Sequence, residues 1–176
     1  MAELLSAAGY GSDDDLVLDM LLSATNPGQG MEFFPDIKVI IIVRDPRDTY
    51  IRTQESIFRD SFIPRNSVEN FCVFYRTVMS KTVADSRVLV VQYEDLVYKY
   101  NETKKRIKDY LGYDKDPAHE FRYFNPDVSV NYTNLAKKYP QYKDDIRYIE
   151  EQLGEYLYDY KDYVPLNIDT EYKGEI

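Results

Sequence analysis

The sequence predicts one α/β domain over residues 1–176, a partial parallel sheet flanked by helices with a helix-rich C-terminal part. Three observations predict it. Two short runs, Lys38-Val-Ile-Ile-Ile-Val43 and Arg87-Val-Leu-Val-Val-Gln92, are β-branched and apolar without alternation, as strands buried on both faces are. Between them, Val68, Phe71, Cys72, Tyr75, Val78, Met79 and Thr82 recur at helical spacing, so a helix joins the strands and a parallel crossover follows. A chain of 176 residues, 44% hydrophobic and 15% aromatic, buries one sizeable core.

The elements follow in order. Ser12 before Asp13-Asp14-Asp15, with Leu16, Val17, Met20 and Leu21 behind, reads as an N-cap, an acidic first turn and an apolar face, giving a helix over 13–23. Asn26-Pro27-Gly28-Gln29-Gly30 is a turn cluster. After the first strand, Asp45 suits an N-cap and Pro46 the first helical position, so a helix spans 46–60. Ser67 caps the crossover helix. Beyond the second strand, Tyr93-Glu94-Asp95-Leu96 is a turn, and a helix over 101–111 ends on Gly112, a natural C′ residue. Residues 113–140 contain Pro117, Pro126 and Pro140 and read as irregular; Ile146, Ile149, Leu153 and Leu157 then mark a last long helix, and the tail from Tyr160 reads as loosely ordered. Two strands fall short of the four or five of an ordinary sheet, so the domain is expected to be incomplete.

Composition excludes several classes. Net charge is −9, from 22 Lys and Arg against 31 Asp and Glu, which repels polyanions and argues against nucleic-acid or anionic-membrane partners. The longest aliphatic run, Val39 to Val43, is far below the roughly 20 residues of a membrane span. Glu3 stands where an export signal carries a cation, and Cys72 is the single cysteine, so a cytoplasmic setting is expected and a thiolate metal site is excluded. The sequons at Asn101 and Asn131 would suit a secretory protein, but such tripeptides arise often by chance.

Against the acidic background, Arg44, Arg47, Arg52, Arg59 and Arg65 fall in one stretch. Ligands of open α/β sheets bind beyond strand C-termini, where Arg44 lies, and the N–H groups and dipole of the following helix favour an anion there. Arg52 stands about two helical turns further on. Arg44 could instead pair with Asp45 or Asp48, and Tyr93, one of 18 tyrosines, could be a core aromatic. Glu94 and Asp95 are adjacent, so they read as turn or cap residues rather than a catalytic pair; Cys72 reads as core and His119 as solvated.

Two strings together resemble the cofactor-binding core of the sulfotransferases that use 3′-phosphoadenosine 5′-phosphosulfate (PAPS). Lys38-Val-Ile-Ile-Ile-Val-Arg44-Asp45-Pro46-Arg47-Asp48 is similar to the motif that holds the nucleotide's 3′-phosphate. Val88-Leu-Val-Val-Gln-Tyr93-Glu94-Asp95-Leu96, with Thr103, Ile107 and Leu111-Gly112, is similar to the family's following strand, turn and helix. The resemblance covers about the last four-fifths of the chain. It implies a P-loop-type sheet, PAPS or adenosine 3′,5′-bisphosphate as the nucleotide, and transfer of a sulfuryl group to a hydroxyl or amine of a small-molecule or glycan acceptor, without a metal. It puts the phosphate-binding arginine on Arg44 and the adenine-contacting tyrosine on Tyr93. Where the family has a serine eight residues after the arginine, this chain has Arg52, which either supplies charge in its place or marks a different way of holding phosphate. The string Phe124-Asn-Pro-Asp-Val-Ser129 through Lys137 resembles the late loop that closes over the nucleotide, with Lys137 as a further candidate.

The family's loop for the 5′-phosphosulfate has no counterpart among the Gly, Ser, Thr and Lys strings of this sequence, and the catalytic base is unassigned. Two rivals therefore stand beside the transferase: a non-catalytic relative that binds a nucleotide or a partner, and a P-loop kinase relative.

Overall fold

The computed structural model describes residues 17–19, 22, 23, 26–34, 36–56, 62–81, 85–114 and 121–168. The fold is mixed α/β and mostly helical. Two strands, Val39–Val43 (β1) and Val88–Gln92 (β2), pair in parallel with Val39 opposite Val88 and Val43 opposite Gln92. The crossover between them carries Pro46–Glu55 (a helix numbered α2 below) and Val68–Ser80 (α3), preceded in the chain by the short helix Pro27–Met31 (α1). Beyond β2 come Tyr93–Tyr98 (α4), Tyr100–Leu111 (α5), Pro126–Ser129 (α6) and Lys143–Gln152 (α7), with single 3-10 turns at Val130–Tyr132, Leu135–Lys137, Pro140–Tyr142 and Gly154–Tyr156.

Capping chemistry sets the helix starts. The Asp45 side chain accepts the Arg47 N–H at 2.8 Å and Pro46 takes the first helical position. Ser67 accepts the Asn70 N–H at 3.1 Å in the same way. At the end of α5, Gly112 adopts φ 84°, the left-handed conformation that closes a helix, and its N–H donates to Lys108 O at 2.8 Å. A Cβ there would meet nothing nearer than Lys38 Nζ at 3.9 Å, so Gly112→Ala strains the backbone alone. The expected loss is about 1 kcal/mol of stability. An unchanged urea midpoint would contradict it.

Several sequence expectations are corrected. Asn26 to Gly30 is largely helix rather than turn, because Pro27 at the first position pre-sets the backbone of α1. The helix expected over 13–23 falls mostly outside the described residues; those described, 17–19, 22 and 23, are not helical. The strands are not buried on both faces: only Val39 and Val91 are buried, and Ile42 is 51% exposed. Among the described residues each strand has one partner, so half of each ladder has no neighbour to cover it.

α2 stops at Glu55, not 60, and Ser56 is extended. Arg65 Nη2 donates to Gln54 O at 2.7 Å and Ser56 O at 3.1 Å, satisfying carbonyls that a helix end leaves free. Tyr93-Glu94-Asp95-Leu96 is the start of α4 rather than a turn; its Glu94 and Asp95 lie in the first turn, where the helix dipole favours anions. The last helix ends at Gln152, and Leu157 lies beyond it. The stretch expected to be irregular holds α6, capped by the Asn125 side chain.

The main core is helical. Tyr50 and Ile51 of α2, Phe71, Cys72 and Tyr75 of α3, Leu135, and Ile146, Ile149 and Leu153 of and after α7 form one buried cluster. Tyr50 meets Phe71 edge-on at 5.1 Å between ring centres. α2 is thereby wedged between α3 and α7, with its first turn at the C-terminal end of β1.

The described part of the tail, through residue 168, is also not loose. Without regular structure over 157–168, it is pinned by tyrosine hydroxyls and N–H groups on four carboxylates, those of Asp45, Asp48, Asp95 and Asp127. Tyr158 N–H reaches Asp45 at 2.8 Å, Tyr160 O–H reaches Asp48 at 2.6 Å, and Tyr163 O–H reaches Asp127 at 2.6 Å. The Leu166 and Ile168 N–H groups also donate to Asp127.

Candidate functional site

Arg44 leaves β1 one residue before the N-cap of α2, and its neighbours define the site. Its Nη2 donates to the Tyr132 carbonyl, and its guanidinium lies over the Tyr93 ring, 4.9 Å from the centre. Its backbone carbonyl accepts the Tyr75 hydroxyl, which ties the strand end to α3. The Arg44 Nε is buried and has no hydrogen-bond partner among the described residues. A buried donor left open costs about 1–3 kcal/mol, so such an atom calls for a ligand. Arg44 makes no ion pair among the described residues, so the alternative of pairing with Asp45 or Asp48 is not what holds it.

The nearby acids are occupied elsewhere. Asp45 holds Arg47 at 2.7 Å, and Arg47 also reaches Glu150 at 3.0 Å and the Tyr158 carbonyl at 3.0 Å. Burial works to lower the Arg47 pKa, but Asp45 and Glu150 outweigh it and keep the guanidinium charged. Glu94 is fully buried; it accepts the Asp45 N–H at 3.0 Å and the Gln92 amide at 2.8 Å. Burial raises its pKa, with the Asp45 N–H acting against the rise. Asp48 likewise is pushed up by burial, while Tyr160, the Leu135 N–H and Arg44 oppose the shift.

The sequence-predicted residues do not all converge. Arg44 and Tyr93 are in direct contact, and Arg52, exposed on α2, lies over the Tyr132 ring at 5.2 Å, so the two arginines grip opposite parts of one tyrosine. Burial raises the Tyr93 pKa, and Arg44 and the Ser129 side chain counter that. Lys137 is exposed in the turn Leu135–Lys137, and its side chain has no hydrogen bond or ion pair among the described residues. No hydrogen bond or ring contact joins it to Arg44, Arg52 or Tyr93 among the described residues. Tyr132 and Ser129 carried no distinguishing signal in the sequence, although both lie in the late-loop string.

A cavity of about 670 Å³ runs along β1, lined by every residue from Lys38 to Arg44 and by Tyr75, Val78, Met79 and Tyr93 among others. Arg44 and Tyr93 are both part of its lining. Among the described residues no group of His, Cys, Asp or Glu could hold a metal ion, and no helix is long and apolar enough to cross a membrane. Cys72 is core, its thiol pushed up by burial, and His119 and Arg59 lie outside the described residues.

The strand, the arginine at its end and the following capped helix are matched by the family comparison, in which the Sulfotransferase family accounts for residues 9–117, well over half of the chain. The chain belongs to the sulfotransferase family. Nothing matches among curated proteins or among solved structures. The family assigns this sulfotransferase to sulfotransfer chemistry in general. The matched span starts earlier than the four-fifths resemblance and ends sooner. It contains Arg44, Arg52 and Tyr93, whereas the late-loop string and Lys137 lie beyond it.

Proposed function

We propose that this chain binds the 3′-phosphoadenosine end of PAPS, and that it serves as all or part of a transferase acting on a hydroxyl or amine of a small-molecule or glycan acceptor. The observation that carries the proposal is the buried Nε of Arg44, without a hydrogen-bond partner among the described residues, beside an aromatic ring at the end of a parallel strand. A guanidinium with a free donor edge suits two-point recognition of phosphate. Arg44 would hold the 3′-phosphate, Tyr93 would present its ring to the adenine, and Arg52 would add a second positive charge where relatives offer a hydroxyl. Lys137 remains a weaker candidate for closing the site.

PAPS supplies an activated sulfuryl group when bound; the residues named here bind and orient the nucleotide. A cytoplasmic setting suits a chain with one buried cysteine. Calorimetric titration with adenosine 3′,5′-bisphosphate and with ATP tests the reading. The bisphosphate should bind at least about tenfold more tightly, a gap of about 1.4 kcal/mol. Preference for ATP would favour the kinase-like rival. A labelled-PAPS transfer assay then decides between a transferase and a nucleotide-binding module.

A further inference from the structure

Asp48 is completely buried, yet three donors from two distant segments converge on its carboxylate. The N–H groups of Asn134 and Leu135 donate to its two oxygens at 2.9 and 2.8 Å, and the Tyr160 hydroxyl donates at 2.6 Å. Asn134 adopts φ 53°, ψ 40°, the left-handed conformation that asparagine tolerates. Its own N–H and the next one thus point at one anion, as in the backbone nests that bind phosphates. Here an aspartate fills the nest.

That nest begins two residues after Tyr132, whose carbonyl Arg44 holds and whose ring Arg52 covers. Between them, Thr133 is buried and its hydroxyl meets that of Tyr98 at 2.9 Å. On the other side of Asp48, the tail is seated by Tyr158 N–H on Asp45 and by Arg47 over the Tyr160 ring at 5.4 Å. The first turn of α2 therefore joins the tail to the turn that touches Arg44.

We propose that Tyr160 is a positioning residue for the anion site: its hydroxyl orients the Asp48 carboxylate, which fixes the 133–135 turn and so sets Tyr132 against Arg44. This rests on the reading of Arg44 as the anion-binding residue. Seating of the tail and binding of phosphate at Arg44 are then coupled, and the coupling is reciprocal. With the Tyr160 hydroxyl gone, a carboxylate that burial already disfavours loses one of three donors, and its grip on the two N–H groups weakens.

The test uses the full chain and adenosine 3′,5′-bisphosphate. Tyr160→Phe removes the hydroxyl and keeps the ring against Arg47 and Tyr98. Tyr163→Phe removes a hydroxyl from the same tail that reaches Asp127 instead, and serves as the control for tail stability. By calorimetry Tyr160→Phe should weaken bisphosphate binding about five- to tenfold, with Tyr163→Phe within about twofold of the parent chain. Equal affinities in the two variants would overturn the proposal. In the unaltered chain, hydrogen exchange at the Asn134, Leu135 and Tyr158 amides should slow when bisphosphate binds, and unchanged exchange would overturn it without any variant. Binding that Arg44→Ala abolishes and Tyr160→Phe leaves intact would sink this inference alone. An unaltered chain that binds no bisphosphate would sink the Arg44 reading with it.

Discussion

Arg44→Ala should weaken adenosine 3′,5′-bisphosphate binding by about two to four orders of magnitude while leaving the fold intact. Hydrogen bonds to charged groups contribute about 1.5–3 kcal/mol each, and a guanidinium makes two of them to one phosphate. Their sum, roughly 3–6 kcal/mol, converts at about 1.4 kcal/mol per tenfold. The cost to stability is smaller: one bond to the Tyr132 carbonyl and the contact with the Tyr93 ring are lost, about 1–2 kcal/mol together. The Tyr75 bond survives because it uses the Arg44 backbone. Arg44→Lys keeps the charge but loses the fork, so an intermediate loss of about tenfold is expected. Calorimetry at fixed ionic strength measures all three proteins, and an alanine variant that binds as the parent does would remove the central residue from the site.

Asp48→Ala should cause the largest loss of stability among the polar residues near the site. It strands the Asn134 and Leu135 N–H groups and the Tyr160 hydroxyl. Each orphaned donor costs about 1–3 kcal/mol, and relief of a buried charge offsets part of the sum, leaving about 3 kcal/mol. At roughly 2–4 °C per kcal/mol for a chain of this size, the Tm should fall by about 6–12 °C. Asp48→Asn retains an acceptor and should lose about half as much.

The pH dependence has a definite sign. Burial raises the Asp48 pKa above its ordinary 3.8, so its contribution is full below that value and declines as pH rises through the folded-state pKa. Thermal melts followed by circular dichroism across mildly acidic to neutral pH would show the decline in the parent and a flatter profile in Asp48→Asn. A Tm for Asp48→Ala within 2 °C or so of the parent would mean that the three donors find other partners.

The elements that could be read from the chain are those held by neighbours in sequence. Asp45, Ser67 and Gly112 mark their helix ends through bonds that span two to four residues, and the β-branched runs gave both strands to within a residue. Arg44 could be placed because a strand end followed by a capped helix is a local pattern. Burial of β1 was misjudged because an aliphatic run states a preference for a covered surface and not whether a neighbour covers it. α4 was missed because its N-cap, Gln92, makes no capping bond with its side chain.

Amino-acid order alone determined the α/β class, the parallel pair, the helix that starts at Pro46 and the guanidinium at the strand end, since each depends on propensity and capping within one turn of chain. Only the tertiary structure decided that Arg44 and Arg52 share Tyr132, and that the tail is anchored on Asp45, Asp48, Asp95 and Asp127. The Tyr160 and Asp48 side chains lie 112 positions apart, and no local rule selects one buried carboxylate for one hydroxyl among 18 tyrosines. That pairing follows from packing α2 between α3 and α7, which buries charge that must then find its donors wherever the chain returns.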